Sequence, residues 1–261
     1  MGLMGSHAHA DARLQRLSIA TALAVFVAAL AAVIGTGLAG AAPRITVLGA
    51  AASATPSCPA TCQAVGKTTG FQTMIAGQRN PFVVSFRGRI VAWSIKTGAP
   101  STKPNPNNNN QSDLEFFNKT FGGAPKARIS VLKPIMKQIR AGHPIYKLKS
   151  QSPVEDLSDF LGQTTTFALD VPLRVKPNNI VALTVPTWAP AFAINQAANT
   201  KWQASRKKGK CNETADILAG TPQVALGSER AYACTYSTAR LLYSATVVAD
   251  PNQAPPKKKP S

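Results

Sequence analysis

The side chains able to do chemistry are few and scattered. Of the 3 histidines, two lie near the amino terminus and only His143 belongs to the body of the chain. It sits between Gly142 and Pro144, where a turn residue is the simplest role. A Ser-His-Asp triad or a histidine metal site would have to be built around it alone. Glu155, Asp156 and Asp159 fall in one acidic turn, and Asp170 follows a strand later. Carboxylates so placed could hold calcium or act as an acid and base pair in sugar hydrolysis, which needs two carboxyl groups facing each other across a groove. They serve equally well as solvated partners of the abundant lysines, with Asp159 capping a helical turn. No catalytic constellation stands out, and neither a metal nor a cofactor is expected.

Recognition chemistry is better represented. Sugar rings stack their C–H faces on exposed indoles, and Trp188 and Trp202 both fall near predicted loops. Trp202 also neighbours the basic stretch Lys201, Arg206, Lys207, Lys208 and Lys210. An aromatic ring beside ammonium and guanidinium groups suits an acidic glycan, by stacking and charge pairing together. The competing fate of both indoles is burial, the commoner one for Trp. The candidate ligand-binding set is therefore Trp188, Trp202, Arg206, Lys207, Lys208 and Lys210. Single-stranded nucleic acid could use the same pieces, but no recognition motif supports it. The chain as a whole carries 29 Lys and Arg against 11 Asp and Glu, a formal charge of +18 with pI near 10.2. A field of that sign attracts polyanions and also favours solubility; it says nothing about fold.

A compartment follows from the amino-terminal segment. Residues 17–42 contain no charge and follow Arg13 and Arg16. Positive residues, an apolar stretch and the small-residue site Ala39-Gly40-Ala41 match a secretory signal peptide cleaved after Ala41. The stretch also reaches the ~20 residues of a spanning helix, so an uncleaved single-pass membrane anchor is the rival. Either way the two arginines keep the amino terminus inside and send the rest of the chain outside. An oxidising compartment suits the four cysteines. Pairing Cys58 with Cys62 and Cys211 with Cys234 is the simplest of the three connectivities. A four-thiolate zinc site is the alternative, and the wide second spacing disfavours it.

The elements that must position these residues read as short strands between Pro and Gly punctuation. Residues 50–69 look like a small-residue, disulfide-tied lead-in. Phe82, Val84 and Phe86 alternate as one strand; Gly88 marks a turn or bulge; a second strand over 90–95 buries Trp93. The stretch 98–111, with four consecutive asparagines, predicts a mobile loop. Ser112 and Glu115 have capping-box spacing, Leu114, Phe117 and Phe121 share a face, and Gly122 and Gly123 close a short helix whose aromatic face should plug the fold. Strands are predicted at 128–134, 145–149, 164–169, 172–175, 180–185, 191–194, 230–236 and 241–249, with Lys176-Pro177-Asn178-Asn179 as a turn. About ten strands with regular turns argue for an all-β, two-sheet antiparallel sandwich with one short helix, preceded by the apolar export helix. The expected layout is a leader over 1–41, a linker over 42–57, the sandwich domain over 58–249 and a disordered basic tail over 250–261, whose Lys257, Lys258 and Lys259 are free to touch an anionic surface.

Gly88-Arg89-Ile90-Val91-Ala92-Trp93-Ser94-Ile95, the pair Pro172-Leu173-Arg174-Val175 and Ile180-Val181-Ala182-Leu183, and Thr187-Trp188-Ala189-Pro190-Ala191-Phe192 carry a resemblance. Over residues 58–250 the chain resembles uncharacterised secreted all-β proteins of high-GC Gram-positive bacteria, similar in strand pattern to jelly-roll modules of the carbohydrate-binding kind. The resemblance implies a jelly-roll fold; fold does not imply function. Outside such a cell the available polyanions are acidic glycans, teichoic acid and the anionic membrane surface. The expectation is thus an exported, non-catalytic binding protein of the cell envelope or extracellular space. The alternatives are a secreted hydrolase using the clustered carboxylates, or a purely structural envelope protein.

Overall fold

A computed structural model describes residues 44–50, 54–140 and 143–251. The chain runs through β1 (Ile45–Leu48), β2 (Val65–Ile75), β3 (Gln78–Arg79) and β4 (Gly88–Lys96), then helix α1 (Asp113–Phe121). Next come β5 (Lys126–Arg140), β6 (His143–Gln151), β7 (Glu155–Asp156), β8 (Thr164–Val175), β9 (Ile180–Ala189), β10 (Phe192–Ala193) and β11 (Lys201–Ala204). Helix α2 (Thr214–Leu218) precedes β12 (Glu229–Ala231), β13 (Cys234–Ser237), β14 (Arg240–Leu241) and β15 (Tyr243–Ala249). One sheet has four strands, in the order β1-β15-β4-β8. The larger has nine, in the order β12-β6-β5-β9-β2-β11-β13, with β3 beside β2 and β7 beside β5, and β10 and β14 pair apart from both as a two-stranded sheet. Every pairing in both is antiparallel, and the result is a curled, jelly-roll-like sandwich.

Between the sheets lies the main core. Ile90, Trp93 and Ile95 of β4, Leu173 and Val175 of β8, and Ala245 and Val247 of β15 face Ile129, Val131, Val181, Leu183 and Val185 of the larger sheet. Tyr243 ties the layers: its ring stacks on Phe82 with centroids 4.2 Å apart, and its hydroxyl donates to the Val181 carbonyl at 2.9 Å. Burial pushes the Tyr243 phenol well above its ordinary pKa, which keeps it a donor.

The far face of the larger sheet is also covered, and by different means. Thr184 of β9 is fully buried there, with its hydroxyl 3.0 Å from that of Thr69 on β2 and 2.7 Å from that of Ser130 on β5. The segment after β11 closes over this row. Ser205 accepts from the Thr69 amide at 3.0 Å, and the Gln223 amide donates to the Thr69 hydroxyl at 3.0 Å. The Gln223 side chain donates to the carbonyls of Tyr146 and Ser228 and accepts from the Tyr232 hydroxyl. Tyr146 packs edge to face on both Phe71 and Tyr232, which tilt against each other, with centroids 4.9 to 5.7 Å apart. Beyond this layer, α1 seats Phe117 and Phe121 against Trp188 in a separate apolar cluster.

Several sequence expectations are met. Ser112 caps α1 in a full capping box with Glu115, and Gly122 ends it in the left-handed conformation. Both disulfides form, Cys58 to Cys62 and Cys211 to Cys234. Others are corrected. Phe82, Val84 and Phe86 are buried as the alternation implies, but they form no strand; their backbone bonds irregularly to the turn between β8 and β9. The asparagine-rich stretch is folded rather than structureless: Asn105 pairs with Gln111, and the Asp113 carboxylate accepts from the side chains of Asn105 and Asn108 at 3.1 and 2.7 Å. The helix packs outside the sandwich instead of plugging it, because its aromatic face meets Trp188 and not the main core. The expectation of a transmembrane helix is corrected as well: no helix among the described residues is long and apolar enough to cross a membrane. The run 17–42 that prompted it, and the tail beyond residue 251, lie outside the described residues.

Gln223→Leu keeps the volume but leaves the buried Tyr232 hydroxyl without a partner and the Ser228 carbonyl with the Leu148 amide alone. A buried polar group so orphaned costs about 1 to 3 kcal/mol, so urea denaturation should show a loss in that range. A loss under about 1 kcal/mol would mean that Gln223 does not hold the cover in place.

Candidate functional site

The two tryptophans are not exposed platforms, and the candidate set is corrected accordingly. Trp202 is 3 % exposed and Trp188 is 0 %. Trp202 lies on β11 facing the main core, where β2 offers Gly70: a Cβ there would sit 2.8 Å from the indole. The ring covers that glycine, and Tyr236 stacks on it with centroids 4.5 Å apart. Trp188 is held from the other side of the sheet. Its Nε1 donates to the Asn118 side chain at 3.2 Å and to the Gly123 carbonyl at 2.9 Å, and Phe117 packs 5.0 Å away.

The basic members of the set do come together. Arg206, Lys207, Lys208 and Lys210 line a cavity of about 740 Å³, with Ser205, Asp216, Glu229, Arg230 and His143 on its other walls. The Cys211–Cys234 bridge makes this possible, since it returns the chain to its starting point after 23 residues. His143 is therefore not only a turn residue; it opens β6 and faces this cavity.

Charge in the cavity is unequally compensated. Asp216 pairs with Lys210 at 2.9 Å and Glu229 with Lys147 at 3.8 Å. Lys207 and Lys208 are exposed, and neither makes an ion pair among the described residues. Arg230 donates to the Thr221 carbonyl. Arg206 is the unusual member: it is 7 % exposed and has no carboxylate partner among the described residues. Its Nη1 donates to the Tyr236 hydroxyl at 2.8 Å and its Nη2 to the Gly66 carbonyl at 2.9 Å, while Nε has no partner. The Tyr236 hydroxyl passes the contact on to the Cys211 carbonyl at 2.6 Å. A buried cation bonded only to neutral groups leaves its positive field to be answered from the cavity.

Among the described residues, neither His143 nor the acidic turn belongs to a hydrolytic arrangement. Ser205 spends its hydroxyl on the Thr69 amide, and no acid faces His143 in an ion pair among the described residues. Glu155 and Asp156 form β7 against β5. Hydrogen bonds from Ser158, at 2.6 Å from its hydroxyl and 3.0 Å from its amide, hold the Asp156 carboxyl below its ordinary pKa, helped by Lys126. That favours a permanent carboxylate, the opposite of a general acid. Asp159 and Asp170 are exposed, and none of the four acids lines the basic cavity. Among the described residues, no group of three or more His, Cys, Asp or Glu could hold a metal ion.

Sequence reasoning missed Arg230 and Gln223. Their only signal was indirect, in that a bridge from Cys211 to Cys234 must carry residues just before Cys234 back to the basic stretch. Compared with family models, curated proteins and solved structures, the chain matches none.

Trp202→Ala should lower stability by about 3 to 5 kcal/mol, the cost of emptying a buried aromatic site, whereas Lys208→Ala should stay within about 0.5 kcal/mol of the parent. Thermal and urea melts distinguish the two. A nearly unchanged Trp202→Ala melt would return that indole to the surface and to the ligand-binding set.

Proposed function

We propose that this is an exported, non-catalytic binding protein of the cell envelope or extracellular space, and that its basic cavity takes the anionic groups of an acidic polymer. Acidic glycans and teichoic acid are the polymers of that chemistry. The observation that carries this is Arg206: a buried guanidinium with no carboxylate partner among the described residues, on the wall of a cavity that the exposed Lys207 and Lys208 also line. An incoming carboxylate or phosphate supplies the counter-charge that the fold withholds. Export is supported by the uncharged run after Arg13 and Arg16 and by two disulfides, which persist in oxidising compartments.

Lys207 and Lys208 are exposed, so Lys207→Glu with Lys208→Glu tests the cavity without disturbing the core. Each lost cation near an anionic surface is worth about 1 kcal/mol, so binding to heparin or teichoic acid at low salt should weaken roughly thirtyfold or more. Binding by the parent should also fade as salt approaches ~1 M, where the screening length is about 3 Å. Equal binding by the double variant would remove the cavity from the interaction.

A further inference from the structure

A second concavity lies elsewhere on the fold and has a different character. Residues 171–174 of β8, from the smaller sheet, face 133–135 of β5 and 144–146 of β6 across a groove of about 1200 Å³. The turn after β8 closes one end. Four cations line it, Lys133, Lys149, Arg174 and Lys176, and all are exposed. None makes an ion pair among the described residues, and no Asp or Glu is among the lining residues.

Beneath the cations the groove is apolar. Leu173, Ile145 and Ile180 reach it from both sheets, and each is otherwise buried. Val171 stands at its rim with 79 % of its surface exposed, the most exposed large apolar side chain among the described residues. Ser150 also lines the groove, and its hydroxyl is buried without a hydrogen-bond partner. A solvated strand face would carry neither an exposed valine above an apolar floor nor an orphaned hydroxyl.

We infer that this groove binds an amphiphilic phosphate, a single apolar chain carrying a phosphate head group. The apolar floor takes the chain, as ligand sites generally do. The head lies among four cations, more than one singly charged carboxylate would answer, whereas a phosphate monoester carries about −1.5 to −2 charges near neutral pH. Its oxygens are strong acceptors for ammonium and guanidinium donors. A hydrophilic polymer would use the cations and leave the apolar floor bare. A bilayer surface meets protrusions, and this feature is concave. The inference stands apart from the basic cavity, with which the groove shares no lining residue.

Calorimetric titration of the full chain tests it, with dodecyl phosphate, inorganic phosphate and uncharged dodecyl maltoside as probes, the detergents below their micelle concentrations. Dodecyl phosphate should bind at least tenfold more tightly than either of the others. Lys149→Glu with Arg174→Glu should lower that affinity at least tenfold, and Lys207→Glu with Lys208→Glu should leave it unchanged. Absence of binding, equal binding of the uncharged amphiphile, or full affinity in the Lys149 and Arg174 variant would overturn the inference. Binding to anionic vesicles alone would overturn it in favour of surface docking. Loss of affinity on changing Lys207 and Lys208 would also overturn it, by moving the ligand to the other cavity.

Discussion

The structure turns on a strand that has no solvent face. From Ile180 to Val185 every residue of β9 is buried, including the hydroxyl-bearing Thr184. An antiparallel sheet ordinarily leaves one face to water. Here β5 and β2 flank β9 edge to edge, the smaller sheet covers one face, and the other must be covered by something that is not a sheet. The segment between β11 and β13 does this.

Covering a polar row is a different task from covering an apolar one. Thr69, Thr184 and Ser130 would each cost a desolvation penalty if buried under aliphatic groups alone. Gln223 and Ser205 answer them, and the Tyr146, Phe71 and Tyr232 rings seal the layer around Gln223. Burial pushes the phenol of Tyr146 up to about 12 and that of Tyr232 well above its ordinary value, so both stay neutral in the layer. The same fixed cover places the basic residues. Ser205 precedes Arg206, and Tyr232 lies two residues past Arg230; the groups that satisfy the sheet therefore set the walls of the cavity. A rigid scaffold holding a charged loop is a common arrangement for recognition.

How much of this was legible in the sequence depends on how local each signal is. The cap at Ser112 and the glycine at 122 act within a few residues, so α1 was readable to its ends. The cysteine pairs were readable from their separation and the compartment. β2 was not: residues 50–69 read as a small-residue, disulfide-tied lead-in, and only the finished sheet shows why 65–75 suit a central strand. Gly66 and Gly70 admit the rings of Phe121 and Trp202, and a Cβ at Gly66 would meet Phe121 at 2.3 Å. Trp202 falls near a predicted loop and beside a basic stretch in the sequence, whereas β11 is a short strand in which alternate residues are buried. The groove cations come from β5, β6, β8 and a turn, and no sequence spacing joins them. The apolar alternation of 82–86 gave the right buried residues and the wrong backbone, since burial and ladder bonding are separate conditions.

The central claim is that the cover over β9 and the anion-binding wall are one unit. Amide hydrogen exchange of the full chain, with and without a saturating acidic glycan such as heparin, tests this most directly. The account requires slow exchange at the Thr69 and Gln223 amides in the free protein, and added protection on binding concentrated in residues 205–210, 219–221 and 229–233. Rapid exchange at Gln223 together with protection spread evenly over the basic surface would contradict it.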